Sequence, residues 1–207
     1  MKHIFIIRHG ETDNNKHHLL QGRGVNASIN GKGKEQAECV SNALKDVPVD
    51  KIIVSSLKRT IETATPLIER TDAVVESYSE LDEMSFGEWE GAYFEDVRAS
   101  IEAINQKWKQ GDIEAVIPGG ESPKQVFERA SKKLIDVLKD SDEENIVFMI
   151  HGRLIRILLS GLLNLGLENM DLIKHENGAI NHLTWDGEYF KTVELNMTEH
   201  LEKVQVA

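Results

Sequence analysis

Two short apolar runs that lie far apart in the chain both end in His-Gly, and this feature constrains the fold more than any other. Residues 4–7 run into Arg8-His9-Gly10, and residues 145–150 run into His151-Gly152. Continuous apolar runs rich in β-branched residues are typical of strands buried on both faces of a parallel sheet. Ligands of open α/β sheets bind just beyond the carboxyl ends of the strands. If the two strands are parallel neighbours, His9 and His151 emerge side by side at one candidate site.

The residues expected at this edge suit a small anion. Two imidazoles and the Arg8 guanidinium, set among flexible glycines, are groups that bind phosphate. A single His-Gly could equally cap a strand by bonding to backbone, but the matched pair weakens that interpretation. Arg59 adds to the prediction, because it falls in the first turn of a helix predicted for residues 57–70, directly after a strand-like run at residues 51–54. Helix amino termini favour anions, so we expect Arg59 to point toward the same edge.

A further strand-like run, residues 73–76, leads into residues 81–91, a segment rich in carboxylates and aromatic side chains. A basic phosphate pocket has little use for a carboxylate except to move a proton. One acid of this segment is therefore the candidate general acid for the leaving oxygen. Chemistry alone leaves four alternatives open: Asp82, Glu83, Glu88 and Glu90.

The rest of the chain alternates helical and strand-like segments. Helical spacing of apolar residues predicts helices at residues 31–45, 92–109, 123–139 and 154–165. The last of these would direct free backbone N–H groups at the His151 edge. Asp186-Gly187 lies between two strand-like runs and predicts a hairpin. The pattern indicates an α/β protein, a three-layer α/β/α sandwich around a mostly parallel sheet with an antiparallel edge, formed as one domain by residues 1–207.

Composition excludes several classes of function. The formal net charge of −11 argues against a nucleic-acid-binding surface and against docking on an anionic membrane. A single cysteine excludes an internal disulfide and a cysteine-based zinc site. The adjacent pair His17-His18 lacks carboxylates at ligand spacing, and the glycines at 22 and 24 do not follow a strand, so we predict neither a metal nor a dinucleotide cofactor. No run is long enough for a membrane span or a signal peptide, so we expect a cytoplasmic protein.

Taken in order, these residues resemble the histidine phosphatase superfamily, and more narrowly its phosphoglycerate-mutase-like branch. The matching segments cover nearly the whole chain: Arg8-His9-Gly10-Glu11-Thr12, Ser55-x-x-x-Arg59-x-x-x-Thr63-Ala64, Leu81-x-Glu83-x-x-x-Gly87-x-Trp89-Glu90-Gly91, Pro118-Gly119-Gly120-Glu121-Ser122, His151-Gly152 and Asn196-x-x-x-His200-Leu201. The resemblance implies the same three-layer fold and a metal-free phosphoryl transfer through a phosphohistidine.

The resemblance also implies a role for each matching residue. His9 is the nucleophile that takes the phosphoryl group, and Glu83 is the proton donor. The equatorial oxygens of the phosphoryl group are held by Arg8, Arg59 and His151. Further contacts to the phosphate or the substrate are expected from Asn15, Gln21, Gly22 and Gly152.

The chain departs from the family pattern directly after the second His-Gly. Many members have a small residue there, whereas this chain has Arg153. We expect Arg153 to contact a second acidic group of the substrate. The alternative is an arginine at a helix start that faces solvent.

The leading functional hypothesis is a metal-independent phosphatase of small phosphorylated metabolites. A phosphoglycerate mutase primed by 2,3-bisphosphoglycerate needs the same site and is the main alternative, although mutases of this branch tend to be longer. A non-catalytic phosphate-binding module is a weaker alternative, because every catalytic element is present. The sequence does not indicate an oligomeric state.

Overall fold

Strand β1 (Lys2–Arg8) lies inside a six-stranded sheet in the computed structural model, which describes residues 1–205. The strand order is β3-β2-β4-β1-β5-β6. The pairs β3-β2, β2-β4 and β4-β1 are parallel, whereas β5 runs antiparallel to β1 and to β6. The other strands are β2 (Lys51–Ser55), β3 (Val74–Tyr78), β4 (Asn145–Ile150), β5 (Ile180–Trp185) and β6 (Phe190–Met197).

Helices cover both faces of this sheet. The α-helices are α1 (Asp13–Lys16), α2 (Gly31–Ala43), α3 (Lys58–Ile68), α4 (Phe94–Lys109), α5 (Pro123–Lys139), α6 (Gly152–Leu162) and α7 (Glu202–Gln205). Short 3₁₀ segments lie at Ser79–Leu81, Gly87–Trp89, Leu167–Leu172 and Glu199–Leu201. Among residues 1–205, no helix combines the length and the apolar character needed to cross a membrane.

The core is divided by the sheet, because alternate residues of a strand point to opposite faces. Ile4 and Ile6 pack with residues of α4, α5 and α6, whereas Phe5 and Ile7 pack with residues of α2 and α3. Burying a side chain of this kind stabilises the fold by roughly 1.5–3 kcal/mol. The predicted three layers and the antiparallel edge are confirmed.

Several predicted helix boundaries are wrong by two or three residues. Helix α2 ends at Ala43 rather than residue 45, and α4 begins at Phe94 rather than residue 92. Helix α6 begins at Gly152 rather than residue 154, and it ends at Leu162 because Asn164 and Gly166 both adopt left-handed backbone conformations (φ 56° and 85°). Helix α3 contains Pro66 in its last turn and ends at Ile68, two residues earlier than predicted.

The parallel pairing of β1 with β4 positions the candidate site. The register places Arg8 opposite Ile150, so the residues that follow each strand, His9 and His151, are neighbours. The backbone N–H of His9 donates to the carbonyl oxygen of Ile150 (3.0 Å). The predicted juxtaposition of the two His-Gly segments is confirmed.

Candidate active site

A cavity of about 220 Å³ opens at the carboxyl ends of β1 and β4. This volume is below the roughly 300–1,000 Å³ of sites for drug-sized ligands, so the cavity suits a small molecule. Its walls combine cationic, acidic and apolar side chains: Arg8, His9, Asn15, Leu19, Leu20, Gln21, Glu83, Phe86, Gly152, Arg153, Arg156 and His175. Within the described part of the chain, His, Cys, Asp and Glu side chains nowhere gather in groups of three or more that could hold a metal ion.

The ring of His9 is held in one tautomer. Its Nδ1 lies 2.7 Å from the carbonyl oxygen of Gly10, and because a carbonyl only accepts, Nδ1 carries the proton. Burial, together with the nearby charges of Arg59 and Arg8, holds the pKa of His9 well below its usual range. The imidazole is therefore neutral at pH 7, with Nε2 unprotonated. Such a nitrogen is a competent nucleophile.

Gly10 allows this loop to lie close to helix α2. A β-carbon at Gly10 would come within 2.5 Å of the carbonyl oxygen of Gly33, which no side chain tolerates. The backbone N–H of Gly10 donates to Thr63 Oγ1 (2.9 Å), and Asn177 Nδ2 donates to the carbonyl oxygen of His9 (2.9 Å). These contacts fix the backbone that carries the nucleophile.

His151 is fixed by a second set of hydrogen bonds behind His9. Arg59 Nε donates to His151 Nδ1 (3.1 Å), so the ring proton is on Nε2, which donates to Ser55 Oγ (2.7 Å). The two histidine rings are edge-to-face, with centroids 5.3 Å apart. Burial and the charge of Arg59 lower the pKa of His151 well below its usual range.

Arg59 and His151 thus stand behind the nucleophile rather than in the cavity wall. Arg59 is fully buried, and its Nη1 and Nη2 donate to the carbonyl oxygens of Val25 (2.6 Å) and Gly22 (3.2 Å), respectively. Both ring nitrogens of His151 are already hydrogen-bonded. A direct contact of either residue with a phosphate oxygen stays a prediction.

Arg8 faces the cavity with an unused donor. Its Nε is buried and has no hydrogen-bond partner among residues 1–205. Buried polar groups are nearly always paired, and a phosphate oxygen would supply the missing acceptor. Burial lowers the pKa of Arg8 to about 10, so its guanidinium is still protonated at neutral pH.

Glu83 is held by the first turn of α6. Its Oε1 accepts from the backbone N–H groups of Met84 and Leu154 (both 2.9 Å), and its Oε2 accepts from that of Arg153 (3.1 Å). Two of the N–H groups at this helix start, those of Arg153 and Leu154, are therefore bonded to Glu83 rather than free. Two donors saturate Oε1, so Oε2 is the oxygen with a lone pair left for a proton.

The geometry separates the four candidate acids. Among the described residues that line the cavity, Glu83 is the one member of this set of four acids. Asp82 accepts hydrogen bonds from the backbone N–H (2.9 Å) and hydroxyl of Ser56. Glu90 accepts from the backbone N–H groups of Gly24 and Phe86, and Glu88 is exposed.

Arg129 of α5 positions the acidic segment, and the sequence analysis missed it. Its guanidinium donates to the carbonyl oxygens of Glu80, Asp82 and Glu83 at 2.7–3.1 Å and pairs with Glu121. The apolar spacing of α5 predicts the helix but gives no signal for the contacts of its polar face.

The remaining predicted contacts divide between the cavity wall and its support. Asn15 caps α1, where its Oδ1 accepts from Thr12, so its Nδ2 is the group left for a ligand. Gln21 donates to Thr12 Oγ1 (2.7 Å), and its Oε1 is buried without a hydrogen-bond partner among residues 1–205. Gly22 is not in the wall, and its carbonyl holds Arg59. Gly152 lies in the wall, where a β-carbon would come within 2.8 Å of the His175 ring.

The sequence did not predict Arg156 and His175 in the cavity wall, or Asp171 behind them. Arg156 lies one turn after Arg153 on α6, and His175 precedes β5; both line the cavity. Asp171 accepts hydrogen bonds from Nη1 of both arginines, at 3.1 Å from Arg153 and 3.0 Å from Arg156. The three-residue spacing of the arginines after His-Gly was the available signal, since it places them on one helix face.

Comparison with known proteins shows which family the chain belongs to. A family model described as the histidine phosphatase superfamily (branch 1) matches residues 4–198. The chain belongs to this superfamily. The resemblance drawn from the sequence is thereby confirmed.

Similar members of the histidine phosphatase superfamily carry the names of phosphatases. The adenosylcobalamin/alpha-ribazole phosphatase of Salmonella typhimurium is 28% identical, over 85% of this chain and 87% of that protein. The glucosyl-3-phosphoglycerate phosphatase of Mycobacterium tuberculosis is 27% identical, over 89% and 83%. A solved structure of mycobacterial glucosyl-3-phosphoglycerate phosphatase in complex with VO3 superposes with a TM-score of 0.85 at 26% identity, over 95% of this chain and 99% of that one.

Proposed function

We propose that this protein hydrolyses small phosphomonoesters through a phosphohistidine formed on His9. The observation that carries the proposal is the hydrogen bond from His9 Nδ1 to the Gly10 carbonyl (2.7 Å), which leaves Nε2 as the unprotonated nitrogen of a neutral ring in the cavity wall. The names of the similar phosphatases support the same reaction class.

The first half of the proposed reaction transfers the phosphoryl group to the protein. Nε2 of His9 attacks phosphorus, and the bond between phosphorus and the ester oxygen breaks. The leaving alkoxide takes the proton that Oε2 of Glu83 carries. Proton transfer of this kind contributes typically ~10²–10⁴-fold to the rate.

The second half regenerates the free ring. Glu83, now ionised, accepts a proton from a water molecule whose oxygen attacks the phosphohistidine. The P–N bond breaks, its electron pair returns to Nε2 of His9, and inorganic phosphate leaves. The protein thereby returns to its starting protonation state.

Fixed cations stabilise the charge on the phosphoryl oxygens in this proposal. The unpaired Nε of Arg8 is the donor placed for a phosphate oxygen, and Arg59 adds positive charge from behind. Donors that are already oriented need no reorganisation when the transition state forms, so a metal ion is not required for this role.

The test is phosphate release from 4-nitrophenyl phosphate in excess EDTA, for wild type, His9→Ala and the control His17→Ala, an exposed histidine outside the cavity wall. We expect turnover that resists the chelator, disappears in His9→Ala and is kept in His17→Ala. Turnover that needs a metal, or that survives in His9→Ala, would overturn the mechanism. Absence of hydrolysis, with conversion of 3- to 2-phosphoglycerate primed by 2,3-bisphosphoglycerate, would make the protein a mutase instead.

A further inference from the structure

The cationic side chains at the cavity carry more charge than one phosphate group uses, even after the negative charge of Asp171 is subtracted, with Glu83 protonated as the proposed first step requires. Arg8, Arg153 and Arg156 all line the cavity, with Arg59 behind. A phosphate monoester carries only about −1.5 to −2 at neutral pH. Arg8 is adjacent to the nucleophile, whereas Arg153 and Arg156 belong to α6, and the ring of His175 lies between Arg8 and Arg156.

Arg153 and Arg156 are held in place by Asp171. The carboxylate accepts one N–H from each, at Nη1, and leaves the Nη2 groups of both guanidinium groups unused by this contact. The guanidinium of Arg153 also lies over the ring of Trp108, at 5.8 Å from its centroid. The side chain of Arg153 is only 16% exposed, so the solvent-facing alternative raised by the sequence is wrong.

His175 makes two contacts that a neutral imidazole cannot satisfy together. Its Nδ1 is 3.2 Å from Arg8 Nη1, and its Nε2 is 2.7 Å from Arg156 Nε. Burial and the neighbouring charges of Arg8 and Arg156 lower the pKa of His175 to about 2, so the ring is neutral. A neutral ring has one acceptor nitrogen and one N–H. In one of the two contacts, the N–H of the ring therefore faces an N–H of an arginine, and neither group accepts. An anionic oxygen that approaches this pair from the cavity would accept from both N–H groups.

We propose that Arg153, Arg156 and His175 form a second anion subsite, and that the substrate is a phosphomonoester with a second acidic group. This acidic group is a carboxylate or a second phosphate. The inference rests on the proposed function, because the transferred phosphoryl group binds at His9 and Arg8. The cavity of about 220 Å³ limits the spacer between the two acidic groups to a short chain.

Binding of non-hydrolysable phosphonates tests the subsite without relying on turnover. We would titrate the full chain with 3-phosphonopropionate, propylphosphonate and propane-1,3-diyldiphosphonate in a calorimeter. Wild type is expected to bind at least one of the two diacids tenfold or more tightly than propylphosphonate, which is about the effect of one charge-assisted hydrogen bond. The tighter of the two diacids identifies the second group as carboxylate or phosphate. Equal affinity for all three ligands in wild type would overturn the inference.

Substitutions then test which residues cause the preference for the diacid. Arg153→Gln and Arg156→Gln are each expected to reduce the preference for the diacid about tenfold, whereas the control Arg98→Gln, at an exposed arginine of α4, keeps it. A diacid preference that persists in both cavity variants would also overturn the inference. Arg156→Lys serves if Arg156→Gln does not fold, since it keeps the charge but loses the planar fork. Lack of turnover in wild type, with the diacid preference intact, would overturn the proposed function and leave the subsite standing.

Discussion

Replacing Glu83 by Gln should separate two classes of substrate. The glutamine is nearly the same size as the acid, but its amide cannot transfer a proton to a leaving alkoxide. An alkyl phosphate has a poor leaving group and needs that proton, whereas 4-nitrophenolate departs without it. We expect kcat/KM to fall ~10²–10⁴-fold for an alkyl phosphate such as glycerol 3-phosphate and by less than about tenfold for 4-nitrophenyl phosphate.

The structure also sets a cost in stability for this substitution. The amide oxygen of Gln can replace Oε1, which accepts from Met84 and Leu154, but its NH₂ then faces the N–H of Arg153, where Oε2 accepts at 3.1 Å in the native protein. A buried donor left without an acceptor costs about 1–3 kcal/mol, so the free energy of unfolding should fall by that amount in urea titrations.

The kinetic assay isolates the proton donor because kcat/KM reports only the steps up to loss of the leaving group. Hydrolysis of the phosphohistidine also needs Glu83, as a base, so this second step should be slow in Glu83→Gln. The variant should therefore release a burst of 4-nitrophenol equal to the enzyme concentration, followed by slow release. Glu88→Gln is the control, since Glu88 lies in the same segment but is exposed. Equal losses of kcat/KM for both esters, or no burst, would refute the assignment of Glu83.

Two further predictions follow from the buried histidines. Ser55→Ala removes the acceptor 2.7 Å from His151 Nε2 and should destabilise the protein by about 1–3 kcal/mol in urea titrations, whereas an unchanged midpoint would contradict the contact. Burial lowers the pKa values of His9, His151 and His175 below the 6.5 of an unfolded histidine, so the unfolded state binds more protons than the folded state. The free energy of unfolding should therefore fall as pH decreases below about 6.5, by up to about 1.4 kcal/mol per pH unit for each buried histidine, and a constant value between pH 8 and 5.5 would contradict this.

The proximity of His9 and His151 was predictable because it requires only that two apolar strands pair in parallel. A strand that ends in His-Gly fixes where its histidine emerges, and the register of β1 with β4 then brings the two rings together. The choice of Glu83 among four acids depended on the family pattern, since all four lie in one segment of similar composition.

The sequence could not predict contacts that depend on side-chain distances. The protonated nitrogen of His9 is set by a single 2.7 Å approach to the next carbonyl, and no residue pattern encodes it. Arg156 and His175 meet because the 3₁₀ segment Leu167–Leu172 returns the chain to the start of α6, a path without a local signal. The apolar pattern places the start of α6 at residue 154, two residues late, because Gly152 and Arg153 have no apolar side chain to extend the pattern.

Trapping the phosphorylated protein tests the central claim most directly. Glu83→Gln protein would be mixed with 4-nitrophenyl phosphate, denatured at alkaline pH within the burst, and digested for mass spectrometry. We expect one phosphoryl group per chain, located on His9 and absent when His9→Ala is combined with Glu83→Gln. A phosphoryl group on another residue, or turnover without a phosphorylated protein, would contradict the account.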